Sequence, residues 1–211
     1  MTATTPRLLR ADAERNLRRV LDAALEVFAE HGIDAPVTLI AERAGVGVAT
    51  IFRRFPTKDD LLAALLAHRG EQLVAATDAA LERDDPEAAF RELAELITRT
   101  QIADRGFCDA IGTELFARDD LQRLFDGVRK RLVEVLARAQ ASGALRSDVT
   151  AEDVLFVLYG VARTGLMVEG AARGLWRRYL ALALDGLRPG AAPLPGRPPT
   201  RRQFDAARCG S

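Results

Sequence analysis

The chain has 211 residues with 30 basic and 30 acidic side chains, 48% hydrophobic residues and only 6% aromatic ones. That length buries a sizeable core, either as one larger domain or as a small domain joined to a medium one, and the second option fits better. Long stretches of Ala, Leu, Arg and Glu without strand-type alternation argue against a sheet and predict an all-α protein.

The first predicted helix carries Leu17, Val20, Leu21, Ala24, Leu25 and Phe28 at the i, i+3, i+4, i+7 spacing and stops at Gly32 after His31. Arg7, Arg10, Arg15, Arg18 and Arg19 make its start basic. Such an arm either touches phosphates or a minor groove, or is a solvated fray.

The segment PVTLIAERAGVGVATIFRRFPTK, residues 36–58, then places two short helices around a glycine turn. In the first, Leu39, Ile40 and Ala44 share an apolar stripe while Glu42 and Arg43 face water, and Pro36 suits the opening turn. Gly45 falls where the chain must leave the helix in a left-handed conformation, and Val46 plugs the corner. The second helix resumes near Gly47 or Val48 and runs to Phe55, with Ile51 and Phe55 at i and i+4 facing inward. Val48, Ala49, Thr50, Phe52, Arg53 and Arg54 remain on its other faces. This is the helix-turn-helix arrangement, whose second helix enters a major groove of double-stranded DNA. Arginines suit phosphates or guanine, Thr50 suits a phosphate, and small Val48 and Ala49 permit close approach. Lys58, beyond Pro56, suits a further phosphate.

The run IAERAGVGVATIFRRFPTKDDLL resembles the DNA-binding signature of the tetracycline-repressor (TetR) family of transcriptional regulators, and the likeness covers roughly Arg10 to Leu66. The resemblance implies base or near-base contacts from Val48, Ala49 and Phe52, phosphate contacts from Thr50, Arg54 and Lys58, and a position near DNA for Thr38 and Gly47. That family often has Tyr where Phe52 stands and His where Arg54 stands. One hydroxyl contact is thereby lost and one permanent charge gained, which bears on sequence preference rather than on binding.

The next predicted helix starts after Pro56, with Thr57 as cap and Leu61, Leu62, Leu65 and Leu66 on its apolar face, and continues toward Leu81. Asp84-Asp85-Pro86 opens a helix with Phe90, Leu93 and Ile97 buried. A shorter helix is expected over residues 107–116, and a longer one from Asp119 to the stop at Ser142-Gly143. Thr150 and Asp153 resemble a capping box for a helix rich in Val154, Leu155, Leu158, Val161, Leu166 and Met167. A last helix is expected over Leu175 to Leu187. Both final helices are apolar over more than one face, and Gly160, Ala162 and Gly165 suit close packing between chains. The family resemblance implies a four-helix bundle from two copies of them, a homodimer with Leu158, Val161, Leu166, Trp176, Tyr179, Leu180, Ala183 and Leu184 at its interface. It also implies a pocket for a small-molecule effector, for which Phe107, Cys108, Ile111, Thr113, Phe116, Phe125, Tyr159, Arg163 and Met167 mix apolar bulk with polar handles. Arg163, within an apolar helix, calls for a partner such as Glu114 or Asp109 or an anionic ligand. The Pro-, Gly- and Arg-rich residues 189–211 lack periodicity and are expected to be disordered.

The domain reading is therefore a three-helix DNA-binding domain over 10–56, with its motif at about 36–55, a helical ligand-binding and dimerisation domain over 57–188, and a tail. Whole-chain neutrality argues mildly against DNA, but residues 1–70 hold 10 basic and 9 acidic groups, residues 71–188 hold 16 and 20, and the cations that matter cluster at Arg53, Arg54 and Lys58. Cys108 and Cys209 form no disulfide framework, and His31 and His68 form no metal spacing, so no metal, cofactor or catalytic residue is expected. No apolar segment follows Met1 to Arg10, and Leu61 to Ala67 is too short to span a bilayer, so a cytoplasmic protein without a membrane partner is expected. The function expected is a ligand-responsive repressor that binds a pseudo-palindromic operator as a homodimer. The alternatives are an interaction protein whose motif no longer binds DNA, or an all-α enzyme with an appended DNA-binding module.

Overall fold

The structure, a computed structural model, describes residues 5–104, 115, 118–168, 172–190 and 192–209, with side chains from residue 14 in the first helix and up to residue 207 in the last. Among the described residues there are nine helices and no strand: α1 (Thr5–His31), α2 (Val37–Ala44), α3 (Val48–Arg54), α4 (Lys58–Leu81), α5 (Pro86–Ala103), α6 (Asp119–Ala141), α7 (Ala151–Val168), α8 (Trp176–Asp185) and α9 (Arg201–Cys209). The all-α expectation is met. The short helix expected over 107–116 lies almost wholly outside the described residues.

Helix starts follow local capping chemistry. Thr57 accepts the amide of Asp60 at 3.1 Å while Asp60 accepts the amide of Thr57 at 3.2 Å, a reciprocal box with Asp in the Glu position. The same pair recurs at α7, where Thr150 accepts from Asp153 at 3.3 Å and Asp153 from Thr150 at 2.8 Å. Asp85 accepts the amide of Ala88 at 3.0 Å ahead of α5. Each satisfies donors that the first turn of a helix leaves unpaired.

The chain forms two compact units, the first running from the start of the chain to His68 and the second beginning at Arg69. In the first, α1 packs on α2 and α2 on α3. Its core includes Val27, Phe28, Ile40 and Ile51, and it extends past residue 56 because Leu61, Leu62, Leu65 and Leu66 of α4 are buried as well. Arg43 of α2 reaches back to α1 and pairs with Glu30 at 2.8 Å and Glu26 at 3.0 Å. Those carboxylates sit one helical turn apart, so one guanidinium serves both.

In the second unit α5 packs against α6, α7 and α8 over a core that includes Phe90, Leu93, Leu132, Leu136, Val154, Leu158, Trp176 and Leu180. Arg138 of α6 donates to the carbonyls of Ala80 and Leu81 at the C-terminus of α4 and to that of Arg83 just beyond it. Gly165 of α7 leaves no space for a side chain, since a Cβ there would stand 2.5 Å from Ile102 and 2.9 Å from Trp176.

The tail departs from expectation. Residues 201–209 form α9, because Thr200 and Gln203 build another reciprocal cap: Gln203 accepts the Thr200 amide at 2.8 Å and Thr200 accepts the Gln203 amide at 3.3 Å. The Pro-rich composition of residues 193–199 hid this local signal.

Candidate nucleic-acid interface

The turn between α2 and α3 closes as a Schellman motif. Gly45 adopts φ 64° and ψ 39°, its amide donates to Glu42 at 3.1 Å, and the amide of Val46 donates to Ala41 at 3.0 Å. A residue with a Cβ at that φ is strained, so Gly45 sets the angle at which the chain enters α3. The remaining carbonyl of Ala44 accepts from the Arg19 guanidinium at 2.7 Å. The chain restarts at Gly47, whose carbonyl accepts from Thr50 at 2.8 Å.

From α3, Ile51 and, just after it, Phe55 point into the core of the first unit, both nearly fully buried. This fixes the phase of the helix. Ala49, Phe52, Arg53 and Arg54 are exposed, as are Gly47 and Thr38, while Val48, Thr50 and Lys58 are half-buried. Phe52 keeps 44% of its surface in contact with solvent, a large apolar side chain on the outer face of the helix. Among the described residues Arg53, Arg54 and Lys58 form no ion pair, so no described carboxylate neutralises their charge. A cleft of about 410 Å³ lies between α3 and α1, lined by residues that include Val20, Ile51, Arg53, Arg54 and Phe55.

The basic arm is split by the structure. Arg19 is committed to the Ala44 carbonyl and so supports the turn, whereas Arg18 is exposed and the side chains of Arg7 and Arg10 lie outside the described residues. Sequence offers no signal that separates Arg19 from Arg18. The role of Arg43 had one, the Glu26/Glu30 pair at i and i+4.

Residues 20–65 match the model of bacterial regulatory proteins of the tetR family, and residues 85–189 match that of the C-terminal domain of SbtR-like transcriptional regulators. The transcriptional repressor LfrR of Mycolicibacterium smegmatis is 34% identical over 141 residues, 64% of this chain and 71% of that protein. The repressor KstR of the same organism is 31% identical over 66% of this chain and 71% of its own length. The chain belongs to the TetR family. It is a DNA-binding transcriptional regulator. The crystal structure of a TetR regulator from Mycobacterium vanbaalenii superposes with a TM-score of 0.65 at 33% identity, covering 85% of this chain and 99% of that one. One from Streptomyces coelicolor gives 0.66 at 32%, covering 82% and 99%.

Within this TetR regulator, the residues expected at a dimer interface separate into two sets. Leu158, Val161, Trp176, Leu180 and Leu184 are buried in the core of their own unit, and Leu166 and Ala183 are partly buried against it. They face the core of their own unit, where α5 covers that side of α7 and α8. Ala162 and Gly165 are likewise consumed within the chain, while Gly160 faces open space. What α7 presents outward is Val157, Gly160, Arg163, Thr164 and Met167, and α8 presents Tyr179 and Leu182. Of the expected interface, Tyr179 alone is exposed.

The effector-pocket residues fare differently. Phe107, Cys108, Ile111, Thr113 and Phe116 lie outside the described residues. Phe125 and Tyr159 are half-buried, whereas Met167 is 84% exposed. Arg163 is also exposed, 6.0 Å from the centroid of the Tyr159 ring, so it needs no buried counter-ion. The apolar helix around it had suggested burial, yet α7 leaves one stripe open. No helix among the described residues is long and apolar enough to cross a membrane.

Proposed function

We propose that the protein is a cytoplasmic repressor that binds a pseudo-palindromic operator as a homodimer and releases it when a small molecule occupies the second unit. The observation that carries the DNA part is the outward face of α3, where Ala49, Phe52, Arg53 and Arg54 are exposed beside half-buried Val48 and Thr50 and no described carboxylate neutralises the arginines. Val48, Ala49 and Phe52 read base edges, with Phe52 suited to thymine methyls. Thr50, Arg53, Arg54 and Lys58 hold phosphates, and Gly47 and Thr38 lie beside the backbone.

Both relatives named above are repressors. Homodimerisation is supported by the outward apolar stripe of Val157, Gly160, Thr164 and Met167 on α7 with Tyr179 and Leu182 on α8. The effector reading rests on the family resemblance. Its mechanism is a shift toward a dimer whose recognition helices no longer match half-sites about 34–36 Å apart. The reading is tested by duplex binding of Arg54→Ala and Lys58→Ala variants: each lowers affinity across sequences and reduces the salt slope by about one. Unchanged affinity at low salt for both would remove the phosphate assignment.

A further inference from the structure

Beside the outward stripe of α7 lies a half-buried aromatic residue that a later segment of the chain covers. Phe156, one helical turn before Gly160, receives the ring of Phe204 from α9 at 4.9 Å between centroids and 74° between planes, an edge-to-face contact. Arg201, at the start of α9, pairs with Asp126 of α6 and with Asp205 at 3.4 Å. The connection that delivers α9 is itself tied down. Arg146 donates to the carbonyl of Ala192 at 2.7 Å, and Asp148 accepts the amide of Leu194 at 3.2 Å. Arg146 and Asp148 also pair at 2.5 Å, and this guanidinium, together with the Leu194 amide, holds the Asp148 carboxyl well below its ordinary range. The extension is therefore held at its base by the Arg146 and Asp148 clamp, and along α9 by contacts that include the Phe204 ring and the Arg201 ion pair. It lies beyond residue 189, where the match to the C-terminal domain model ends.

We propose that α9 is a self-docking strap that sits on Phe156 at the edge of the outward face of α7 and must leave it before two copies of the chain pair fully through that face. The inference rests on the homodimer reading above. The occupant is residues 199–209 of the chain itself, seated by Phe204 on Phe156 and by Arg201 on Asp126.

The strength of the latch follows from its parts. A nine-residue helix is marginal without its dock, an aromatic edge-to-face pair contributes modestly, and an ion pair with both partners partly exposed contributes little. Docked and released forms are thus close in free energy, which is what a competitor can exploit. A strap docked about two-thirds of the time in each of two monomers weakens the dimer about ten-fold, since each copy must first release it. Meanwhile the clamp at Arg146 and Asp148 keeps the released helix near its seat, so redocking follows dimer dissociation.

The test is sedimentation equilibrium of three full-length or near-full-length proteins: the intact chain, a chain truncated after Pro198, and Phe204→Ser. Truncation there leaves the residue 192 and 194 anchors in place, and Phe204→Ser keeps the entire chain while removing the ring. Both variants are expected to dimerise about ten-fold more tightly than the intact chain. A dimer constant that stays unchanged, or that weakens, in both variants overturns the strap while leaving the homodimer reading intact. Three monomeric proteins at all concentrations would overturn the homodimer reading, and the strap with it.

Discussion

In the first unit, Arg53 and Arg54 stand exposed on α3 without a described carboxylate partner, whereas in the second unit Arg83, Arg129, Arg131, Arg146 and Arg177 each meet one. The two units contain comparable chemistry and spend it differently. The second uses arginine to tie helices together: Arg129 joins α6 to α7 through Glu152 at 2.6 Å, and Arg177 joins α8 to α5 through Glu95 at 3.4 Å. The first uses Arg43 and Arg19 in that way and leaves the recognition helix uncompensated. Net charge therefore misleads for this chain. A neutral total of 30 basic and 30 acidic groups conceals a local excess on α3, because the cations that tie helices together sit beside carboxylates and those of α3 do not.

That contrast can be broken at several points. The largest expected effect is on DNA: Arg53→Ala with Arg54→Ala should weaken duplex binding about 100-fold near physiological salt and lower the salt slope by about two, with thermal stability unchanged. Fluorescence anisotropy over a salt series checks it. Next comes Arg129→Ala, which strands Glu152, a residue only 8% exposed, and should cost about 1–3 kcal/mol of stability by urea unfolding. Gly45→Ala should cost about 1–2 kcal/mol, since its φ of 64° suits few side chains, and should reduce DNA affinity as well by tilting α3. Arg83→Ala removes an exposed pair with Glu92 and should change stability by less than about 0.5 kcal/mol, with no effect on DNA.

The smallest effect concerns pH. Asp148 has its carboxyl depressed by Arg146 and by the Leu194 amide, so its contribution is complete above the ordinary carboxylate range and is lost as pH falls through its depressed value. The ratio of Leu194 amide exchange in Asp148→Asn to that in the intact chain at the same pH should therefore stay high down to about pH 4 and fall toward one as the pH drops further.

Much of this was legible because the signals are local. Gly45, the Thr57/Asp60 and Thr150/Asp153 caps, and the i, i+4 spacing of Ile51 and Phe55 each specify their geometry within a few residues. The phase of α3, and with it the outward set of side chains, follows from that spacing alone. What stayed hidden depends on contacts distant in sequence. Gly160 and Gly165 read alike in the chain, yet Ile102 and Trp176 close over Gly165 and leave Gly160 open. Leu158 and Val161 looked as available for a partner chain as Tyr179, and only the packing of α5 shows that they are taken. Arg18 and Arg19 are neighbours with different duties for the same reason. In the tail, composition spoke for disorder while Thr200 and Gln203 carried a cap that needed Phe156 as a landing site to matter.

The central claim is that the outward face of α3 reads DNA in a two-fold arrangement. Selection of bound duplexes from a random pool by the intact protein at low salt tests it directly. The account predicts an enriched inverted repeat whose half-site centres lie about one helical turn, or a whole number of turns, apart. A pool that shows no enrichment would contradict it.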